Sequence, residues 1–185
     1  MSEGGHRQRA PGVPPKVLVV MGVSGSGKST TAARLARILG WEYRDADSFH
    51  PRANIEKMSR GEPLNDQDRA PWLAAIAVWI DERRSGNKPG LVSCSALKRV
   101  YRDQLIGRRG DVRLIYLKGD KALIGERLAR RRHHFMPASL LDSQFAALEE
   151  PERDERAIVA NVALSPNRVV ERILASICVS ILGGD

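Results

Sequence analysis

The sequence predicts an α/β fold in which helices cover a parallel β-sheet. Three observations lead to this prediction. From residue 16 onward, short apolar runs alternate with amphipathic ones, as in strand–helix–strand units. A glycine-rich turn joins the first apolar run to the first amphipathic one. At 185 residues, the chain suits one domain with a sizeable core.

Strands are expected where short apolar runs occur, and helices where apolar residues recur on one face. The five expected strands span residues 16–21, 41–44, 91–94, 112–117 and 158–163. The first helix should cover residues 28–39, because its apolar residues share one face. Gly40 is placed to end that helix as a left-handed cap.

The remaining helices follow from the same periodicity. A short helix should begin near Pro51 and end at Gly61. A longer helix should bury Trp72, Ile76 and Trp79 on one face, although a stacking role of Trp72 toward a substrate stays open. Further helices are expected after residue 95, over residues 121–132, from residue 138 and from residue 166.

We expect a single domain over residues 16–185, with a disordered lead-in over residues 1–15. The lead-in has no apolar periodicity and lacks the apolar stretch of a signal peptide. No apolar run reaches the ~18 residues that could span a bilayer. Cys94 and Cys178 lack metal-ligand spacing, which indicates buried free thiols in a reducing compartment. These features predict a soluble, cytoplasmic protein.

The glycine-rich turn fits the P-loop spacing of Gly, four residues, then Gly-Lys-Ser. Glycines at 22, 25 and 27 allow backbone angles that turn successive amides inward around an anion. Lys28 adds a mobile positive charge, and the Ser29 hydroxyl is placed to bind Mg²⁺. The expected phosphate cradle comprises Gly22, Val23, Ser24, Gly25, Ser26, Gly27, Lys28, Ser29 and Thr30. The alternative is a glycine-rich turn that binds no ligand. If the loop does bind a nucleotide, the motif alone does not distinguish kinases from ATPases and GTPases.

Two carboxylates follow the second expected strand. Asp45 and Asp47 would project to the same side if the strand continued, at the carboxyl edge of the sheet beside the P-loop. A Mg²⁺ ligand and a base for a substrate hydroxyl are needed there. The alternative is a solvated turn, since Asp is common at strand ends. The third strand lacks the Asp that often ends such a strand, which leaves Asp45 as the nearest candidate ligand.

The net charge of +8 comes almost entirely from arginine. Such a balance suits nucleic-acid binding or an enzyme for polyanions. The basic residues are spread along the chain and aromatic residues are only 5%, so a nucleic-acid surface is not indicated. One dense cluster, Arg127 and residues 130–132, precedes a proline-ended break and another helix. This pattern predicts a phosphate-covering lid over about residues 130–140; the alternative is a solvated basic helix end.

Five blocks of the chain resemble one known family, the gluconate kinases of the thermoresistant type, which are relatives of shikimate and adenylate kinases. The blocks are MGVSGSGKST, DADSFHPRANIEKMSRGEPLNDQDRAPWL, CSALKRVYRD, IYLKGD and HHFMPASLLDSQFAALEEP. The resemblance covers about residues 17–151. The second block is long, so it carries more information about the substrate than the P-loop does. One departure is visible: residues 161–164 lack the acidic residues that family members often have there.

The resemblance implies a P-loop NTPase-type three-layer fold with a five-stranded parallel sheet and a lid. A substrate-binding segment is expected over about residues 48–72. The implied reaction converts ATP and D-gluconate to ADP and 6-phospho-D-gluconate, with Mg²⁺ as cofactor. The family also allows a homodimer; neither nucleic acid nor membrane is an expected partner.

Residue roles follow partly from this resemblance. Asp47 is expected to orient the 6-hydroxyl and accept its proton, while Asp45 and Ser29 hold Mg²⁺. Lys28, Arg127 and Arg131 would neutralise charge on the transferring phosphoryl group. Gluconate is a small anionic polyol, so its pocket needs cations and polar groups. The expected cations are Arg52, Lys57, Arg60, Arg69, Arg99 and Arg102, and the expected polar contacts are His50, Asn54, Asp66 and Ser95.

Two other function classes stay open at this point. One is a kinase for another small hydroxylated acceptor, such as shikimate or a nucleoside. The block around residues 50–72 disfavours it, because that block matches the gluconate family. The other is a non-catalytic module that binds nucleotide or nucleic acid, which would bind ATP without acceptor-dependent release of ADP.

Overall fold

The computed structural model describes residues 13–130 and 138–182. The strands are β1 (Val17–Met21), β2 (Glu42–Asp45), β3 (Gly90–Ser93), β4 (Val112–Lys118) and β5 (Ile158–Asn161). They form one sheet in the order β2-β3-β1-β4-β5, and every neighbouring pair is parallel. The expected five-stranded parallel sheet is therefore confirmed.

Seven α-helices are described around this sheet. They are α1 (Lys28–Leu39), α2 (Arg52–Ser59), α3 (Asp66–Ser85), α4 (Arg99–Leu105), α5 (Lys121–Ala129), α6 (Ala138–Ala147) and α7 (Pro166–Leu182). Two short 3₁₀ helices cover Ala46–Phe49 and Arg153–Glu155. In the described residues, no helix combines the length and apolar character needed to cross a membrane.

The core lies on both faces of the sheet, which explains the unbroken apolar run of β1. Leu18 and Val20 pack with residues of α1 and α7 on one face. Val17, Val19 and Met21 pack with residues of α3 and α4 on the other face. Strands that are buried on both faces need apolar residues at every position rather than at alternate ones. This arrangement gives the expected three layers.

Several local predictions are confirmed and some need correction. Gly40 ends α1 in the left-handed conformation with φ +68°, as expected. The second strand ends at Asp45, where a 3₁₀ helix turns the chain away from the sheet. Cys94 is buried, as expected, but Cys178 is exposed because it lies on the solvent side of α7. Most of the expected lead-in lies outside the described residues. The central part of the expected lid, residues 131–137, also lies outside them.

The fold brings the functional segments together at one edge of the sheet. In a parallel sheet all carboxyl ends lie on the same edge, where ligand sites of open α/β sheets are found. The P-loop follows β1, Asp45 ends β2, and Ser95 follows β3. Because β3 and then β2 lie on one side of β1 in the sheet, the segments that carry Ser95 and Asp45 lie on the same side of the P-loop.

Candidate active site

The P-loop has the backbone conformation that the glycine spacing predicts. Gly25 has φ +83° and Gly27 has φ +94°, values that other residues rarely adopt. A side chain at Gly25 would also collide with Leu128 of α5, because its Cβ would lie 2.7 Å from Leu128 Cγ. Gly25 is therefore required both by its backbone angle and by the close approach of α5.

A cavity of about 390 Å³ lies above the P-loop and the start of α1, and we call it the P-loop cavity. Its walls come from the loop, from the ends of β2 and β3, and from α5. The lining residues are Ser24, Gly25, Gly27, Lys28, Ser29, Thr30, Asp45, Asp47, Ser93, Cys94, Ser95 and Leu128. Lys28 Nζ donates a hydrogen bond of 3.1 Å to the Val23 carbonyl across the loop. The cavity thus combines the glycine-rich loop, a lysine and two carboxylates.

Asp45 is held by hydrogen bonds from three elements. Its Oδ2 accepts from the Ser29 hydroxyl and from the Tyr43 hydroxyl, each at 2.9 Å. The Tyr43 hydroxyl is also 2.9 Å from Ser93 Oγ. Partial burial alone would raise the pKa of Asp45, but hydrogen bonds from the Asp47 amide, Ser29 and Tyr43 lower it below its ordinary value. Asp45 is therefore ionised at neutral pH, with its oxygen beside the Ser29 hydroxyl.

Asp47 reaches the same cavity by a different route from the one predicted. Strand alternation would place both carboxylates on the same side if β2 continued past Asp45. Instead, Asp45 caps the 3₁₀ helix by accepting a 3.2 Å hydrogen bond from the Asp47 amide. The turn leaves the Asp47 side chain exposed and at the wall of the P-loop cavity. A tight turn, rather than strand alternation, brings the two carboxylates together.

A second cavity of about 410 Å³ adjoins the first, and we call it the Arg69 cavity. Ser95 lines both cavities, so the two share a wall. The lining residues are Pro63, Arg69, Trp72, Ser95, Ala96, Leu97, Lys98, Tyr101, Leu140, Ser143, Gln144 and Ala147. Arg69 and Ser95 were predicted to bind the substrate, and the structure places both at this cavity.

Asp66 connects the basic residues beside the Arg69 cavity. Its carboxylate accepts hydrogen bonds from Lys98 Nζ at 2.8 and 3.0 Å and another from the Tyr101 hydroxyl. Arg69 Nη1 lies 3.6 Å from the same carboxylate. Hydrogen bonds from Lys98 and Tyr101 lower the pKa of Asp66. Two cations thus share one carboxylate, and the three groups together carry one net positive charge.

His50, which follows the 3₁₀ helix, packs against the long helix α3. Its ring stacks on Trp72, with ring centroids 4.6 Å apart and planes inclined by 9°. Partial burial lowers the pKa of His50; Asp47 opposes this shift and Arg69 adds to it. Trp72 is buried and donates a 2.7 Å hydrogen bond to the Ala46 carbonyl. The imidazole is consequently neutral at pH 7, and Trp72 fixes both the 3₁₀ helix and the histidine.

Arg102 does not fit its predicted role in substrate binding. Its side chain is only 1% exposed and forms an ion pair with Glu155 at 2.5 Å. It also donates hydrogen bonds to the carbonyls of Ala96, Leu97 and Glu149. The guanidinium therefore holds the loop before α4 in place. Arg99 pairs with Asp154 at 2.6 Å and Asp103 at 3.0 Å, so it also serves this network.

Four further residues of the predicted substrate segment lie elsewhere. Asn54 is buried and donates to the Asp68 carbonyl at 2.7 Å, and Lys57 pairs with the Asp68 carboxylate at 2.6 Å. Both contacts join α2 to the start of α3. Arg52 and Arg60 form exposed pairs with acidic neighbours, and the Arg52 side chain is 92% exposed. In the described structure, none of the four lines the P-loop cavity or the Arg69 cavity.

A third cavity of about 420 Å³ lies on the other side of the P-loop. It is bounded by Arg127 of α5, by Arg130 directly after that helix, and by Val162, Leu164 and Pro166 after β5. Arg127 donates a hydrogen bond to the Val162 carbonyl, which joins α5 to the segment after β5. Arg127 thus lines a cavity beside the P-loop, and its role toward the phosphates stays a prediction. Arg131 lies outside the described residues.

Sequence reasoning missed four residues that shape the site: Tyr43, Lys98, Tyr101 and Gln144. Lys98 and Tyr101 belong to the block CSALKRVYRD, and Gln144 belongs to the last block. Membership of those blocks was the available signal. The partners of Lys98, Tyr101 and Gln144 are Asp66 and Ser24, which are far away in sequence, so no local pattern could identify these contacts. Tyr43 lies only two residues before its partner Asp45, but it belongs to none of the blocks.

Comparison with known proteins identifies the family. Residues 17–151 match the model of a protein family that is described as an AAA domain. The gluconokinase of Gluconobacter oxydans (strain 621H) is 47% identical over 163 residues, which are 88% of this chain and 92% of that protein. The chain belongs to the gluconokinase family.

Two further members of the gluconokinase family agree with this assignment. The thermoresistant gluconokinase of Escherichia coli (strain K12) is 47% identical over 143 residues, which are 77% of this chain and 82% of that protein. A crystal structure of a gluconokinase from Sinorhizobium meliloti 1021 has a TM-score of 0.83 at 42% identity, and the match covers 91% of this chain and 95% of that one. The resemblance drawn from the five sequence blocks is thereby confirmed.

Proposed function

We propose that this protein transfers the terminal phosphoryl group of ATP to the 6-hydroxyl of D-gluconate, giving 6-phospho-D-gluconate and ADP. The observation that carries the proposal is the shared wall of two cavities. One cavity contains the P-loop and two carboxylates, and the other is lined by Arg69 and Lys98. Membership of the gluconokinase family names the acceptor. Phosphoryl transfer needs this adjacency, because the two reacting groups must meet in line.

ATP is proposed to lie along the P-loop, with its phosphates at the amides of Gly25 to Ser29. The positive end of α1 and the charge of Lys28 favour phosphate there. The adenosine part would occupy the cavity beside Val162, Leu164 and Pro166, whose surface is largely apolar. Arg127 lies at that side and can approach the phosphates. Arg131 stays a predicted contributor to the same neutralisation.

Ser29 and Asp45 fit the requirements of a Mg²⁺ site. Mg²⁺ prefers oxygen ligands and usually combines one or two protein groups with waters and substrate phosphates. The Ser29 hydroxyl and the Asp45 carboxylate provide two such oxygens 2.9 Å apart, and the low pKa keeps Asp45 ionised. When bound, Mg²⁺ supplies charge neutralisation for the phosphates of ATP.

Asp47 is proposed to bind the 6-hydroxyl of gluconate and accept its proton. It lies at the wall of the P-loop cavity, and no other described carboxylate except Asp45 does. Because Asp45 is engaged by Ser29 and Tyr43, Asp47 is the carboxylate with room for a substrate hydroxyl. A strong base is not required there, since the loose transition state releases the proton late.

Arg69 is proposed to bind the carboxylate of gluconate. Its guanidinium can form two parallel hydrogen bonds to a carboxylate, and its contact with Asp66 is long at 3.6 Å. Lys98 and Asp66 largely neutralise each other, so the net positive charge of the cluster remains for a monoanionic substrate. Ser95 and the hydroxyl of Tyr101 provide polar contacts for the polyol chain.

The cytoplasm, where Mg²⁺-ATP is supplied, is the proposed setting, and a homodimer is the proposed assembly. Size-exclusion chromatography with light scattering measures the molar mass of the assembly in solution. A mass near twice that of one chain is expected, and a monomer at micromolar concentration would contradict it.

The decisive experiment measures ADP release from Mg²⁺-ATP with a panel of acceptors. The panel contains gluconate, other sugar acids, shikimate, common nucleosides, single-stranded RNA and a control without acceptor. Release that depends on gluconate, with 6-phosphogluconate recovered, is the expected result. Release with another acceptor would assign the Arg69 cavity to that molecule. ATP binding without acceptor-dependent release would indicate a non-catalytic module.

A further inference from the structure

Gln144 of α6 joins the two cavities by contacting the P-loop directly. Its Oε1 accepts a 2.7 Å hydrogen bond from the Ser24 amide, and its Nε2 donates a 2.9 Å hydrogen bond to the Ser24 hydroxyl. Both polar atoms of the glutamine amide are therefore used on one residue, 120 positions earlier in the chain. A side chain with both a donor and an acceptor is needed for this pair of contacts.

The same residue belongs to the wall of the Arg69 cavity. Leu140, Ser143, Gln144 and Ala147 are the α6 residues that line it. The position of α6 relative to the P-loop therefore determines how far that cavity lies from the phosphate cradle. Among the described residues of α6, only Gln144 forms hydrogen bonds with the P-loop.

Other contacts hold α6 to different elements. Leu141 is buried with Ile124 and Leu128 of α5, and Asp142 pairs with Lys121 of α5 at 2.7 Å. After the helix, the Glu149 amide donates to the Leu97 carbonyl at 2.9 Å. Loss of the Gln144 side chain would leave these contacts intact. It should alter the distance of α6 from the P-loop more than the folding of α6.

We propose that Gln144 is a positioning residue for phosphoryl transfer: it holds the acceptor wall at the distance that aligns the acceptor hydroxyl with the terminal phosphate. The inference rests on the proposed function, since it assumes that an acceptor occupies the Arg69 cavity. Reacting atoms must lie about 3–3.5 Å apart, and a misplacement of about 1 Å can cost about a hundredfold in rate. Two hydrogen bonds of ordinary strength can thus affect the rate far more than the stability.

Incorrect spacing should also admit water to the phosphate. Water then competes with the acceptor for the phosphoryl group, and ATP is hydrolysed without product. The fraction of ADP release that yields phosphorylated acceptor therefore reports on positioning. A purely structural defect lowers the amount of folded enzyme and leaves this fraction unchanged.

The test compares wild type with Gln144→Ala, Gln144→Glu and Asp142→Ala. For Gln144→Ala we expect kcat to fall about 10- to 100-fold, with a smaller fraction of ADP release coupled to gluconate phosphorylation and KM for ATP within about threefold. Gln144→Glu can still accept from Ser24 but places a negative charge beside the phosphates, so KM for ATP should rise. Asp142→Ala removes a contact of α6 that does not reach the P-loop, and it should retain both rate and coupling.

Hydrogen exchange of the P-loop supplies a measurement that does not depend on the acceptor. The peptide that contains Ser24 should exchange faster in Gln144→Ala than in wild type or Asp142→Ala. The proposal is overturned if Gln144→Ala retains the wild-type coupling fraction, or if its rate falls only as its thermal stability does. If wild type phosphorylates another acceptor instead of gluconate, the proposed function fails, and the same coupling fraction with that acceptor still tests Gln144.

Discussion

The Ser29 hydroxyl lies 2.9 Å from Oδ2 of Asp45, although sixteen residues separate them in the sequence. Ser29 is the second residue of α1 and Asp45 is the last residue of β2, so the contact joins two elements at the carboxyl edge of the sheet. The Tyr43 hydroxyl donates to the same Oδ2 and is itself hydrogen-bonded to Ser93 Oγ. The pair is thus held before any ion binds, which lowers the cost of organising a metal site.

Asp45→Asn should weaken the use of Mg²⁺. Loss of the carboxylate charge is expected to raise the Mg²⁺ concentration for half-maximal activity by about tenfold or more. Activity at fixed ATP and varied Mg²⁺ measures this change. Glu42→Gln alters a carboxylate at the other end of β2, where Glu42 pairs with Arg83, and serves as the matched control. Identical Mg²⁺ curves for wild type and Asp45→Asn would remove Asp45 from the metal site.

Asp47→Asn should abolish most of the turnover without preventing ATP binding. An amide can still hydrogen-bond to the acceptor hydroxyl but cannot take its proton, and general-base contributions amount to about 10²–10⁴ in rate. We expect kcat to fall in that range. Turnover by a coupled ADP assay and ATP affinity by calorimetry measure the two effects. The variant Glu56→Gln, which alters an exposed carboxylate on α2, serves as the control. Near-normal turnover of a folded Asp47→Asn variant would exclude Asp47 as the general base.

Arg69→Ala should weaken gluconate binding. Removal of a bidentate partner for the substrate carboxylate is expected to raise KM for gluconate about tenfold or more, with KM for ATP nearly unchanged. Steady-state kinetics with each substrate varied separates the two constants. Arg52→Ala removes an exposed arginine that lines neither cavity and should leave KM for gluconate within about twofold. The reverse ranking of the two variants would place the carboxylate site on α2.

Arg102→Met should destabilise the protein strongly. The substitution removes the buried ion-pair partner of Glu155, whose side chain is 7% exposed, and leaves Arg99 at 3.6 Å as the nearest described cation. Breaking a buried pair costs about 3–5 kcal/mol. The free energy of unfolding in urea at pH 7 measures this cost. The double variant Arg102→Met/Glu155→Leu removes both charges and should recover part of the lost stability. A loss below about 1 kcal/mol, as for exposed pairs, would contradict the structural role.

Stability should fall in mild acid partly because of His50. Its folded-state pKa is lowered by burial, so below the ordinary value of about 6.5 the unfolded chain binds more protons than the folded protein does. The resulting loss of folding stability is absent above that pH and grows as the pH falls from that value toward the lower pKa of the folded protein. Asp47 and Arg69 act on this group in opposite directions. Asp47 favours the charged imidazole and Arg69 disfavours it.

His50→Gln removes the titrating group and should flatten this part of the pH profile. Urea unfolding of wild type and variant at pH 7.5, 6.5 and 5.5 measures the slopes. The stability difference between the two proteins should change across this range in favour of the variant. Parallel profiles would show that His50 titrates alike in the folded and unfolded states.

Much of the fold could be predicted because its signals are local. The P-loop needs glycines at defined spacing, and α1 needs its apolar face and its cap at Gly40, so neighbouring residues determine both. Strands buried on both faces leave continuous apolar runs, which made the sheet visible in the sequence. The alignment of Asp45 and Asp47 by strand alternation depended on a continuation of β2 past Asp45. A single side-chain cap on the 3₁₀ helix overrode it.

The sequence by itself determined the fold class, the phosphate cradle, the pairing of Ser29 with Asp45 as candidate ligands, and the family. Only the tertiary structure decided which cations face a cavity: Arg69 does, whereas Arg102 is buried against Glu155, 53 residues later. It also decided that Gln144 meets Ser24. The physical reason is that a guanidinium or an amide has the same local pattern whether its partner is a substrate or a distant part of the chain, and long-range packing selects between them.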